Sequence, residues 1–130
     1  MIVSSDIANI LYRDCKAFGI DMVPDGETLT GEVTTERIVI HAKAQTPGTY
    51  WKKGFVEVNL CVPDPSKNSA NSTRLGELER QAQTLLDDVV SSYDGTFYRY
   101  GISSIGRETD TNLKCHYVNV RILFEVLNVK

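Results

Sequence analysis

The sequence predicts an α+β domain of two layers, in which a mostly antiparallel, four- to five-stranded sheet packs against two helices in the order α-ββ-α-ββ. Three observations lead there. Two stretches repeat apolar residues at three- and four-residue steps, the spacing of a helix with one buried face. Four others are rich in β-branched residues or alternate apolar with polar residues, the spacing of a half-buried strand. The chain has 130 residues, 42% of them hydrophobic and 24% charged, enough for one domain with its own core and without internal repeats or a linker.

The first helical stripe is Ile7, Ile10, Leu11, Cys15 and Phe18. Ser4 or Ser5 is placed to cap its start and Gly19 to end it. Asp6 lies in the first turn and Arg13 and Lys16 near the last, so the charges oppose the helix dipole. Residues 20–35 are mixed: Pro24-Asp25-Gly26 marks a turn, and Leu29 and Val33 offer at most a short strand. Residues 37–43 then read as a strand, with a tip over 45–54 that begins Gln45-Thr46-Pro47-Gly48. Val56, Val58, Leu60 and Val62 alternate with Phe55, Glu57, Asn59 and Cys61 in a second strand over 55–62. A connection this short joins antiparallel neighbours, because a parallel pair needs a longer crossover.

Pro63 ends that strand, and residues 64–73 form a polar loop. Thr73 is the expected cap of a second helix, whose face is Leu75, Leu78, Ala82, Leu85, Leu86, Val89, Val90 and Tyr93, with Asp94-Gly95 as its stop. Two more strands follow, over 96–105 and 114–129, joined by a turn over 106–112. The last alternates Val118, Val120, Ile122, Phe124 and Val126 with Asn119, Arg121, Leu123, Glu125 and Leu127, giving one continuous apolar face.

Composition narrows the function. A formal charge of −3 and a pI of about 5.3 argue against sequence-specific nucleic-acid binding, which draws on a basic surface. The chain contains no apolar run of membrane-spanning length and its start lacks the pattern of a secretory signal, so it is expected to stay in the compartment where it is made. Cys15, Cys61 and Cys115, odd in number and each in an apolar or strand context, read as reduced thiols. Cys115-His116 are neighbours on a strand and point to opposite faces, which discourages a shared metal ion. His41 would meet His116 only if their strands pair. No nucleophile elbow or phosphate-cradling glycine loop occurs, and Glu77, Glu79, Asp87 and Asp88 read as solvated helix carboxylates. The reading is of a protein that is no enzyme, with no cofactor and no metal site.

The segments that stand out are the tips. Tyr50-Trp51-Lys52-Lys53 places the only tryptophan beside a second aromatic and two charges, a composition that interfaces favour, although Trp51 folded over the sheet edge is an equal reading. Asp64, Lys67 and Asn68 sit in the polar loop, which has no apolar pattern requiring burial. These seven residues are the candidate protein contacts. Phe97 and Arg99 alternate with Tyr98 and Tyr100, so both faces of that strand carry aromatics. Helices would cover one face, and a neighbouring subunit is a natural cover for the other.

Glu36-Arg37-Ile38-Val39-Ile40, the run from Gly54 through Val58-Asn59-Leu60-Cys61-Val62-Pro63 to Asp64, the polar loop, and Arg74-Leu75 opening a helix together resemble the small tail-terminator or head–tail joining proteins of tailed phages and prophages. Residues 117–124, Tyr-Val-Asn-Val-Arg-Ile-Leu-Phe, look like the last strand of that family. The resemblance covers most of the chain and consists of packing patterns. It implies a structural subunit that closes into a ring, commonly a hexamer, capping the tail tube and meeting the head connector. Its setting would be the bacterial cytoplasm and then the virion. The alternative is a small-molecule-binding or enzymatic α+β domain with a cleft between the second helix and the sheet. An adaptor using the outer sheet face is a third reading.

Overall fold

A computed structural model describes residues 1–67 and 69–127 of the chain. Its elements in order are α1 (Ser4–Cys15), β1 (Asp21–Met22), β2 (Arg37–Thr46), β3 (Trp51–Pro63), α2 (Ser72–Leu85), β4 (Val89–Tyr93), β5 (Thr96–Asp110) and β6 (Cys115–Leu127), with one 3₁₀ turn, Lys16–Phe18, after α1. The strands form one six-stranded sheet in the order β1-β2-β3-β6-β5-β4. This corrects the expected fold class: the sheet is mixed rather than four- to five-stranded and antiparallel, and it curls into a half-barrel. The order α-ββ-α-ββ fails because β1 pairs in parallel with β2, and because Val89–Tyr93 is an edge strand instead of the end of α2.

The β4 error has a local cause. Val89, Val90 and Tyr93 continue the helical stripe of Leu78, Ala82, Leu85 and Leu86, but α2 ends at Leu85, and Asp88, with a left-handed φ of 53°, turns the chain out of the helical path. The Asp87 carboxylate then accepts a hydrogen bond from the Ile102 amide at 2.9 Å and redirects the chain onto β5. Asp94-Gly95 is the turn of the β4–β5 hairpin, both residues with positive φ. The helix starts also differ from expectation. Asn71, not Thr73, caps α2 by accepting from the Arg74 amide, and the Asp6 carboxylate caps α1 by accepting from the Val3 amide.

Both helices share one core with the inner face of the sheet. Ile7, Ile10 and Leu11 of α1 and Leu75, Leu78 and Ala82 of α2 are buried against Ile38, Val56, Val58, Leu60, Val118, Val120, Ile122 and Phe124. Phe124 stacks at 5.2 Å on Tyr98 and 5.6 Å on Tyr100. The tyrosine hydroxyls find partners on α1: Arg13 donates to the Tyr98 oxygen at 2.8 Å, and Tyr100 donates to Asp14 at 2.6 Å. On the other side of Phe124 lies Gly54. A Cβ there would collide with the Gln45 amide and the Ala44 carbonyl, so glycine is required where the β2 bulge, between Ala42 and Gln45, closes on β3.

The outer face has a smaller core of its own. Residues 23–33, which the sequence left mostly unassigned, cross it and bury Val23 and Val33 against Val39, Cys61 and Cys115. Part of the cover predicted to come from a neighbour is therefore the chain itself.

Phe124→Ala is expected to lower the unfolding free energy by about 3–5 kcal/mol, the range for emptying a buried aromatic site. Against a total of about 5–15 kcal/mol for a domain, urea titration should show a clearly reduced midpoint.

Candidate contact sites at the two ends of the sheet

The candidate residues lie at opposite ends of β3. Tyr50, Trp51, Lys52 and Lys53 are at its start, and Asp64 and Lys67 follow its end. About 40 Å of extended strand separates the two groups. Asn68 lies outside the described residues.

At the first end the loop is shorter than the sequence suggested. β2 runs on to Thr46 and β3 begins at Trp51, so only residues 47–50 form the turn, and most of the expected tip over 45–54 is paired strand. Tyr50 is exposed in that turn. Trp51 is half-buried: the Arg99 guanidinium stacks 3.9 Å from its ring centre, and Phe97 packs against it at 6.3 Å. The indole thus lies along the outer face of the sheet, a site for a cation–π contact. The Lys52 ammonium donates to the Ile2 carbonyl and fastens the chain start to β3. Lys53 pairs with Glu125 at 3.5 Å, and Glu125 also receives Arg99 at 3.3 Å.

This end gathers the apolar surface. Among the described residues the large hydrophobic side chains left exposed are Met1 (94%), Val3 (48%), Tyr50 (70%), Val90 (58%) and Phe97 (41%). Tyr50 lies on the β2–β3 turn and Val90 and Phe97 on the β4–β5 hairpin. Met1 and Val3 flank the Ile2 carbonyl that Lys52 holds.

The second end is polar. Asp64, Pro65, Ser66 and Lys67 line a surface cleft of about 550 Å³ with Glu32, Thr109, Thr111 and Lys114. Asp64 is held beside it by His116, Nδ1 to Oδ1 at 2.6 Å, with both side chains mostly buried. Lys114 reaches Glu32 at 4.0 Å. The sequence points to Asp64 as a loop residue and to His116 as a strand residue beside Cys115, with no sign that Asp64 and His116 pair. Their signal was the register that sets His116 opposite Val62, two residues before Asp64.

The two histidines stay apart. His41 faces outward opposite Glu57, whereas His116 is on the inner face opposite Val62. No group of three or more His, Cys, Asp or Glu side chains among the described residues is arranged to hold a metal ion. Four clefts can be compared, of about 550, 470, 280 and 200 Å³, and none of these four is lined by a residue of α2. None of them is the cleft between the second helix and the sheet on which the alternative reading relied.

All three cysteines are free and buried. Burial pushes the Cys15 thiol up to about 12, with Asp14 adding to it, and burial and the neighbouring Cys115 push Cys61 up to about 12. Burial also raises Cys115. Burial and the bond to Asp14 raise Tyr100 well above the usual phenol range, and the bond to Glu108 does the same for Tyr117. No helix of the described residues is long and apolar enough to cross a membrane.

Neither a protein-family model nor a curated protein matches the chain. A solved structure 12% identical in sequence superposes with a TM-score of 0.64, covering 100% of this chain and 99% of that one. At that identity the likeness is one of fold.

The raised thiols set a pH dependence. A thiol that ionises near 9 in the unfolded chain and near 12 in the folded one contributes stability that is complete below pH 9 and falls as pH rises toward 12. Thermal unfolding followed from pH 7 to 11 should show a declining midpoint above pH 9. At pH 8 the native protein should leave a thiol reagent such as DTNB nearly unreacted, and denaturant should release all three thiols.

Proposed function

We propose that this chain is a structural subunit of a phage or prophage head–tail junction or tail terminator, acting through self-assembly into a ring and contacts with tail-tube and head-connector proteins. The observation that carries the reading is the concentration of exposed large hydrophobics at one end of the sheet, around Tyr50, Val90 and Phe97. Apolar surface collected in one place marks a protein contact more often than scattered exposure does. Tyr50 and Trp51 are the aromatic types that anchor interfaces. The sequence resemblance supplies the biological setting, the bacterial cytoplasm and then the virion, and the apolar end supplies a docking surface.

Ring closure is a heterologous contact and requires two unlike patches on each subunit. The polar cleft of Asp64, Lys67 and Lys114 lies at the far end from the apolar surface, so the two ends supply unlike chemistry for unlike neighbours.

The test is electron microscopy of the purified protein with and without tail tubes. Tyr50→Asp, a change at an exposed side chain in the turn, should keep the wild-type circular dichroism and change stability by about 0.5 kcal/mol or less, as exposed substitutions do, yet abolish rings and tube capping. Rings formed by this variant at the wild-type yield would count decisively against the reading. Lys52 is a poorer site for such a change, because its ammonium holds the chain start.

A further inference from the structure

β4 closes the sheet at one side, with no strand beyond it among the described residues. Asp94 and Gly95 have φ of 49° and 78°, so the β4–β5 hairpin turns through two residues in the type I′ manner. In such a hairpin the pair flanking the turn, Tyr93 and Thr96, exchanges hydrogen bonds, as do Ser91 with Tyr98 and Val89 with Tyr100. The N–H and C=O groups of Val90 and Ser92 therefore point away from β5 and form an open edge.

Open edges are normally blunted by charge, proline, a bulge or a covering segment. The opposite side of the sheet has such protection. β1 covers Arg37 and Ile38, the β2 pairing is bulged between Ala42 and Gln45, and residues 25–28 stand beside Ile40, His41 and Ala42. β4 has none of it: its sequence is Val-Val-Ser-Ser-Tyr and its pairing with β5 is regular.

We propose that β4 is a self-association strand, through which two copies of the free protein pair antiparallel about a two-fold axis and continue one sheet into the other. Charge selects the register. Pairing centred on Ser91 would set Asp88 against Asp94 of the second copy, a like-charge contact at both ends. Pairing centred on Val90 sets Val90 against Val90 and Asp88 against Ser92, which removes the repulsion and matches the outward-facing peptide groups. It sets the two exposed Val90 side chains side by side, covering part of the apolar end. The role of the dimer rests on the assembly reading above: it is a storage form that hides this surface until a subunit joins the tail.

Sedimentation equilibrium of the full chain over a wide concentration range tests the pairing. The expected result is a dimer, twice 14.5 kDa, that dissociates on dilution. Val90→Lys places two like charges across the axis, and Val90→Pro removes the outward N–H while leaving the β5 bonds in place. Each should weaken dimerisation by roughly tenfold or more with unchanged circular dichroism. Should a variant fail to fold, hydrogen exchange on the wild type gives the same answer: the Val90 and Ser92 amides should be protected in the dimer and exchange rapidly in the monomer. A wild type monomeric throughout, an oligomer indifferent to both variants, or unprotected amides would each overturn the proposal. If instead the β4 dimer forms and rings never do, the assembly reading fails alone.

Discussion

The ladder between β3 and β6 is the constraint on which the other elements depend. Every residue of β3 from Trp51 to Pro63 has a partner in β6, in unbroken antiparallel register from Leu127 back to Cys115. These two strands are the middle of the sheet. One belongs to the β2–β3 hairpin and the other to the β5–β6 hairpin, and all of α2 and β4 lies between them in sequence. Without the ladder there would be two separate hairpins, each marginal by itself. With it, Val56, Val58, Leu60 and Val62 align with Ile122, Val120, Val118 and His116 to make a single inner surface wide enough for both helices. Because the paired residues are far apart in the chain, the loop-closure entropy must be met before the contacts form, and folding should be slower than for a helical protein of this length.

The attachment of α1 depends on that surface in turn. Tyr98 and Tyr100 stand opposite Val126 and Phe124 of β6 and point into the core, where a bare hydroxyl would be expensive to bury. At the end of α1, Arg13 donates to the Tyr98 hydroxyl oxygen and the adjacent Asp14 accepts from the Tyr100 hydroxyl. Tyr12 reaches the other way, and its hydroxyl donates to the Val23 carbonyl. Successive residues of the last helical turn thus fasten the helix to the sheet on one side and to the segment covering the outer face on the other. The packing is apolar, but its alignment is set by these hydroxyl contacts.

What could be read in the sequence follows the same division. Strict alternation in β3 and β6 exposed the inner face directly, because a half-buried strand has one period and one answer. The α1 stripe and its Gly19 stop, at φ 69°, were equally plain. β4 was hidden because Val89, Val90 and Tyr93 satisfy the helical spacing, and the residue that denies it, Asp88, belongs to a type that tolerates a left-handed backbone without announcing one. Asp94-Gly95 was a better hairpin signal than a helix stop, since apolar and aromatic residues flank it on both sides. β1 has two residues and exists only through its partner Arg37–Ile38, so no local pattern reveals it. The candidate site was legible in composition but not in placement. Trp51 was singled out for its neighbours in sequence, whereas its environment is made by Arg99 and Phe97 from another strand.

Placement is what gives the two ends their different character. β3 carries one end of the sheet to the other, and the same strand that begins beside Tyr50 and Trp51 finishes at Asp64, already bonded to His116. Apolar residues at the first end are left outside although the inner face had alternate positions on each strand to take them: Phe97 and Val90 are opposite in parity to the buried Tyr98 and the half-buried Val89. Val90 and Phe97 are thus exposed apolar side chains on regular, well-paired strands, whereas Tyr50 lies in the β2–β3 turn and Met1 and Val3 precede α1. Holding such residues rigid lowers the ordering entropy a contact would otherwise have to overcome. A docking end is served by apolar groups gathered on a stiff frame. The proposed assembly reading rests on Val90 and Phe97, held on the paired β4–β5 strands, and on Tyr50 in the turn between β2 and β3.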